Sequence, residues 1–137
     1  MTSRRELEKQ AAQRAAGRCE YCGMHQSLQG ASFHLEHIVP TSRGGTTELN
    51  NLAWACPGCN LRKADRIEAV DPDSQAAAQL YHPRRHVWRE HFHWDEYQIV
   101  GLTPIGRATV AALQLNDERR MRIRQAEQMF GLFPPEI

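Results

Sequence analysis

The chain has 137 residues, 41% hydrophobic and 24% charged, which suits one compact domain with a modest core. No run approaches the ~20 apolar residues of a membrane span. Met1 to Gln10 is charged and lacks the apolar stretch of a signal peptide, so the expected setting is soluble and cytoplasmic. With a formal charge of only +1, bulk charge does not announce a nucleic-acid binder, and any such surface must be a local patch.

Ser3 and Glu6 have capping-box spacing, and Arg4 to Ala16 is a run of helix formers that Gly17 ends. Residues 18–25 hold Cys19, Cys22 and Gly23, the makings of a tight knuckle. Phe33 to Val39 reads as a strand with Phe33, Leu35, Ile38 and Val39 inward, stopped by Pro40. Residues 41–50 are turn formers and read as a loop. Leu52 to Ala55 is a second strand, Cys56 to Cys59 a second knuckle, and Asn60 to Glu68 a helix. Asp71 before Pro72 marks a helix start in residues 71–75, in a segment that Pro83 breaks. His91 to Gly101 is a hairpin turning near Asp95 and Glu96. Thr103 caps a helix with Pro104 at its first position, and Leu113 and Leu115 close it. Asn116 caps a last helix running to about Phe130, and Gly131 to Ile137 is irregular.

All four cysteines fall in two Cys-x-x-Cys pairs, with thirty-three residues between the pairs. Two intervening residues let both thiols of a pair reach one tetrahedral metal from a tight turn. A redox site needs one such pair, not two, and a cytoplasmic setting disfavours disulfides. Cys19, Cys22, Cys56 and Cys59 are therefore expected to hold zinc. Four thiolates close its coordination, which makes the ion structural rather than catalytic.

Between the pairs lies His34-Leu35-Glu36-His37-Ile38-Val39-Pro40. On a strand, His34 and Glu36 share one face and His37 takes the other. Arg43-Gly44-Gly45, Asn51-Leu52 and Cys56-x-x-Cys59-Asn60-x-x-Lys63 follow. This order and spacing, over about residues 17–66, resembles the HNH endonuclease family, the ββα-metal nucleases with paired zinc knuckles. Residues 80–115 are also similar to an extension in one bacterial branch of such proteins, to which no role attaches.

The resemblance implies a metal-dependent endonuclease hydrolysing DNA phosphodiester bonds, with double-stranded DNA as its partner. His37 is then the general base and Asn51 the central asparagine that fixes the loop and orients it; Asn50 competes for that role. Glu36 and Asn60 are the expected ligands of a catalytic divalent ion, in an H-N-N variant. An amide oxygen suits Mg²⁺ or Mn²⁺ better than zinc. Arg43 and Lys63 are possible phosphate contacts, with solvated surface charge as the bland alternative. His34 is a possible extra ligand, or a supporting or core histidine.

Fifteen of the seventeen basic residues are Arg, which suits phosphate, although a GC-rich genome also favours Arg codons. Residues 1–66 carry a balance of +3 and residues 67–137 of −2. Arg119, Arg120, Arg122 and Arg124 form a basic run on the last helix, read as a solvated face or a phosphate grip. His91 and His93 could pair on a strand face, but packing explains them as well. The expected class is α+β: a small zinc-stabilised ββα-metal core (17–70) after an N-terminal helix (1–16), with a mostly helical C-terminal extension (71–137) packed on it. The rival reading is a non-catalytic zinc module that binds nucleic acid or protein; a purely structural zinc domain is the weakest, because it needs no Glu36–His37 pair.

Overall fold

In the computed structural model, which describes residues 2–136, the first helix begins where Ser3 can cap it. The Glu6 amide donates to Ser3 Oγ (3.1 Å), opening α1, Arg4–Arg14. It ends in two left-handed residues, Ala16 (φ 54°) and Gly17 (φ 73°). Its inner face buries Leu7 and Ala11. Arg14, at its last turn, donates to the carbonyls of Leu49 (2.8 Å) and Leu52 (2.6 Å), tying the helix to the strand behind it.

That strand is β2, Leu52–Ala55, antiparallel to β1, His34–His37, with Leu35 opposite Trp54 and His37 opposite Leu52. The unbroken apolar run of β2 is buried at every position. Trp54 packs on Phe33 at 6.0 Å between ring centroids. Helix α2, Pro57–Lys63, follows directly. It was expected at residues 60–68. It starts earlier because Pro57 is pre-set for a first helical turn and Cys56 Sγ accepts from the Cys59 amide. It stops at Lys63 because Ala64 turns left-handed (φ 51°), and Arg66 donates back to the Arg62 carbonyl.

The helix start expected at residues 71–75 is instead the turn of a hairpin, β3 (Glu68–Val70) against β4 (Ala77–Gln79). Asp71 spends its carboxylate on the Asp73 amide (3.0 Å) and the Ser74 hydroxyl (2.9 Å), and Gln75 is left-handed (φ 64°). Those bonds cap a turn as readily as a helix. A one-turn helix, α3 (Trp88–His91), was not legible in the sequence. The expected hairpin is present as β5 (Phe92–Asp95) and β6 (Gln98–Gly101), turning through Glu96 (φ 54°).

Helix α4, Pro104–Ala112, is capped by Thr103 Oγ1 as expected. Gly106 lets it lie against α3, since a Cβ there would sit 2.0 Å from the His91 carbonyl oxygen. Helix α5, Glu118–Met129, is capped by Asp117, one residue after the expected Asn116. Asn116 is occupied elsewhere: its amide brackets Ile99, accepting from the Ile99 nitrogen (2.7 Å) and donating to the Ile99 carbonyl (2.8 Å). The tail to Glu136 has no helix or strand, and its Leu132 carbonyl accepts from Arg18 (2.7 Å).

The architecture is α+β, with three two-stranded antiparallel sheets among the described residues. One buried cluster joins α1, both knuckles and β1–β2 to Trp88, Phe92, Ile99, Leu113 and Leu115 of the extension. Among the described residues no helix is long and apolar enough to cross a membrane. Asn116→Ala strips two hydrogen bonds from the buried Ile99 backbone and is expected to cost about 2 kcal/mol. Urea unfolding checks this, and an unmoved midpoint contradicts it.

Candidate active site and metal centre

The two Cys-x-x-Cys turns converge. All four Sγ atoms lie within 4.8 Å of one another, and every one of these cysteines is buried. Cys22 Sγ and Cys56 Sγ are 3.8 Å apart. A tetrahedron with metal–sulfur bonds of ~2.3 Å has edges of ~3.8 Å. None of the four cysteines is in a disulfide. The cluster thus fits a structural zinc ion, held by Cys19, Cys22, Cys56 and Cys59.

Zinc with four thiolates carries two net negative charges into a buried setting, which is costly unless compensated. The compensation comes from the extension. Arg120, 1% exposed, donates from Nη1 to Cys59 Sγ at 3.2 Å, with Cys56 Sγ at 3.8 Å. Its Nη2 donates to the Leu113 carbonyl beyond α4 (2.9 Å). Burial opposes its charge, but the surrounding cysteines outweigh burial and raise its pKa. The expectation of a solvated or phosphate-gripping run on α5 is therefore corrected at two of its four positions. Arg124 is buried as well, donating to Leu115 O (2.6 Å) and Tyr97 O (2.8 Å) and lying over the Trp94 ring at 5.3 Å. Arg119 and Arg122 face solvent.

The segment after β1 is held by Asn51. Its Oδ1 accepts from the Val39 amide (2.9 Å), and its Nδ2 donates to Val39 O (2.9 Å) and Thr46 O (2.8 Å). Asn50 is exposed and makes none of these bonds. The turn at residues 41–45 closes on the same segment. Gly45 sits so close that a Cβ would lie 1.7 Å from the Val39 carbonyl oxygen. This brings Thr47 to His37, whose Nε2 lies 3.0 Å from Thr47 Oγ1. His37 is half-buried at the end of β1, and its Nδ1 has no partner among the described residues.

Glu36, on the opposite face, is only 4% exposed. The Tyr21 hydroxyl donates to Oε2 (2.6 Å), and Lys63 Nζ sits 2.6 Å from Oε1. Lys63 aims its hydrogen bonds at the carbonyls of Ile38 (2.8 Å) and His37 (3.4 Å), so its contact with Oε1 is mainly one of charge. Burial pushes the Glu36 pKa up, and Lys63 and Tyr21 push it back. Burial also raises Tyr21 well above the ordinary phenol range, with Glu36 adding to it. Lys63, 1% exposed, cannot meet a phosphate at the surface, and that expectation is corrected.

Asn60 is half-buried one turn before Lys63, and its side chain has no partner among the described residues. A carboxylate and an amide oxygen on adjacent elements are donors that suit a hard divalent ion. At Glu36, however, the cation now in place is the Lys63 ammonium. His34 is exposed at the start of β1, which corrects its reading as a core histidine. Arg43 is exposed, with its Nε on the Asp65 carbonyl (3.2 Å). His91 ends α3 and bonds Thr103 Oγ1 (2.7 Å) while His93 is exposed on β5, so the two do not share a strand face. The residues sequence reading missed are Tyr21 and Arg120: a tyrosine between two cysteines and one arginine among four carry no spacing signal.

Arg120→Met is expected to leave the buried thiolate cluster uncompensated, costing about 3–5 kcal/mol and weakening zinc retention against a chelator. An unchanged melting point and chelation rate contradict this. Lys63→Met is expected to cost a comparable amount by stranding Glu36, and Glu36→Gln added to it to restore most of the loss. A double-mutant unfolding cycle measures this, and additive losses contradict it.

Comparison with curated proteins and with solved structures gives no match. A family model described as HNH endonuclease matches residues 19–66. Those residues span both knuckles, β1, the Asn51 loop, β2 and α2. Residues 19–66 are thus similar to the HNH endonuclease family, with the four cysteines clustered as in paired zinc knuckles.

Proposed function

We propose that this protein is a metal-dependent endonuclease that hydrolyses phosphodiester bonds of DNA, double-stranded DNA above all. HNH domains have nuclease-type activity in general and typically act on DNA, and residues 19–66 match that family. The observation that carries the finer reading is the holding of His37. Its Nε2 lies 3.0 Å from Thr47 Oγ1, in a loop that Asn51 pins to Val39. With Nε2–H donating to Thr47, Nδ1 is the basic nitrogen left free. A neutral imidazole nitrogen with no other partner suits taking a proton from a water that attacks phosphorus. Asn51 is a positioning residue here: it fixes the backbone just beyond His37 and touches no reacting atom.

Glu36 and Asn60 would hold the catalytic Mg²⁺ or Mn²⁺, which requires Glu36 to give up the Lys63 ammonium it pairs with. When bound, such an ion acts as a Lewis acid on the phosphate and the departing oxygen. Zinc at the four cysteines takes no part in the reaction and holds β1 and α2 in place.

The rival reading, a non-catalytic nucleic-acid or protein module, draws on the Glu36–Lys63 pair, which already neutralises the carboxylate. Plasmid cleavage separates the two. Purified protein with Mg²⁺ or Mn²⁺ is expected to nick or linearise plasmid, and His37→Ala to lower the rate about 10²–10⁴-fold at unchanged zinc content. Equal rates in the two proteins contradict the assignment of His37. Salt-dependent DNA binding with no cleavage under any divalent ion favours the rival.

A further inference from the structure

Two clefts flank Val39, and both are completed by the turn from His82 to His86 in the extension. The first, about 350 Å³, is lined by Ile38, Lys63, Glu68, Tyr81, His82 and Arg85 among others. The second, about 260 Å³, has Gly45, Thr46, Asn50 and Asn51 on one wall and His82 and Arg85 on the other. The second contains no carboxylate. It shares its loop with Thr47, the partner of His37.

The turn that supplies His82 and Arg85 is self-braced. The His82 carbonyl accepts from the amides of Arg85 (3.1 Å) and His86 (2.9 Å), and the His82 amide donates to His86 Nδ1 (2.9 Å). The Arg84 amide donates to His82 Nδ1 (3.2 Å), which leaves the ring proton on Nε2. That Nε2–H has no partner among the described residues. His82 is only 4% exposed yet lines both clefts, so the little it shows to solvent it shows there. Arg85 is exposed beside it and has no ion-pair partner among the described residues. Arg84, the neighbouring cation, is instead paired with Glu20.

Resting on the nuclease reading above, we propose that His82 and Arg85 form a phosphate-binding subsite that grips the DNA backbone beside the bond His37 attacks. Arg85 supplies the charge and His82 Nε2–H a neutral, fixed donor. The extension then contributes to substrate binding as well as to stability. Consistent with this, burial and the nearby charges of Arg85, His86 and Lys63 hold His82 down to about 4, so it donates without being charged at neutral pH.

The test uses the full-length, zinc-loaded His37→Ala protein, so that binding is read without turnover, and a fluorescein-labelled 20-bp duplex followed by anisotropy across a salt series. Adding Arg85→Ala is expected to weaken Kd about 5–10-fold at ~100 mM salt and to flatten the log Kd–log salt slope by about 1. His82→Gln is expected to weaken binding about 3–10-fold with the slope unchanged, because it removes no charge. Arg119→Ala, on the exposed face of α5, is the control expected to change neither. Zinc content and melting point confirm folding, and the exposed Arg85 keeps the test open should His82→Gln fail to fold. An Arg85→Ala protein with the parent's Kd and slope overturns the subsite, as does a parent that does not bind the duplex. If wild type cuts plasmid while Arg85→Ala binds like its parent, the subsite alone falls. If wild type cuts nothing while the slope still flattens, the subsite stands and the catalytic reading falls.

Discussion

The contact on which the rest of the structure depends is the closure of two cysteine turns onto one point, with Arg120 laid against it. The first turn follows α1 and the second opens α2, so closing them brings residues from 19 to 59 back on themselves. The pairing of β1 with β2, the loop around Asn51 and the placement of His37 all lie inside that closed span. A metal there turns loop-closure entropy into folding free energy. Arg120 extends the same contact to residues more than sixty positions away, making the extension part of the electrostatic solution to burying four thiolates.

Arginine does a different job here from the one its composition suggests. Read as a bias toward phosphate, it goes in six of the fifteen to the protein's own backbone carbonyls. Arg14, Arg18, Arg66, Arg120 and Arg124 each donate to backbone carbonyls that end a helix, a strand or a turn. The planar fork that matches phosphate also matches two carbonyl oxygens at a helix end, and composition does not separate the two uses. Partners do: among the described residues Arg85 and Arg119 are exposed with no carbonyl or carboxylate partner, whereas the exposed Arg14 and Arg43 are held by carbonyls.

What was legible in the sequence was whatever local spacing encodes. The cysteine pairs, the strand bearing Glu36 and His37, the cap at Ser3, the Thr103-Pro104 helix start and the β5–β6 hairpin all follow from neighbours within a few residues. The failures share a cause. Asn116 and Asp117 are both competent caps, and only the distant Ile99 backbone decides which is free to cap α5. Asp71 starts turns and helices alike, and it is Arg107 of α4, 36 residues away, that holds its carboxylate with two hydrogen bonds. Lys63 looks like a surface cation in the last turn of a helix, but Glu36 on β1 and the carbonyls of His37 and Ile38 draw it inside. Each outcome was settled by a partner remote in sequence.

The site accordingly has two tiers. Its metal-binding frame is written in spacing, while the environment of Glu36, the reach of Arg120 and the His82–Arg85 turn are properties of the folded chain. The frame is the central claim, and zinc K-edge X-ray absorption of the purified full-length protein tests it most directly. The account predicts one zinc per chain with four sulfur neighbours at about 2.3 Å and no nitrogen or oxygen in the first coordination sphere. A mixed sulfur and nitrogen or oxygen shell, or a folded protein whose cysteines are paired as disulfides without zinc, would contradict it.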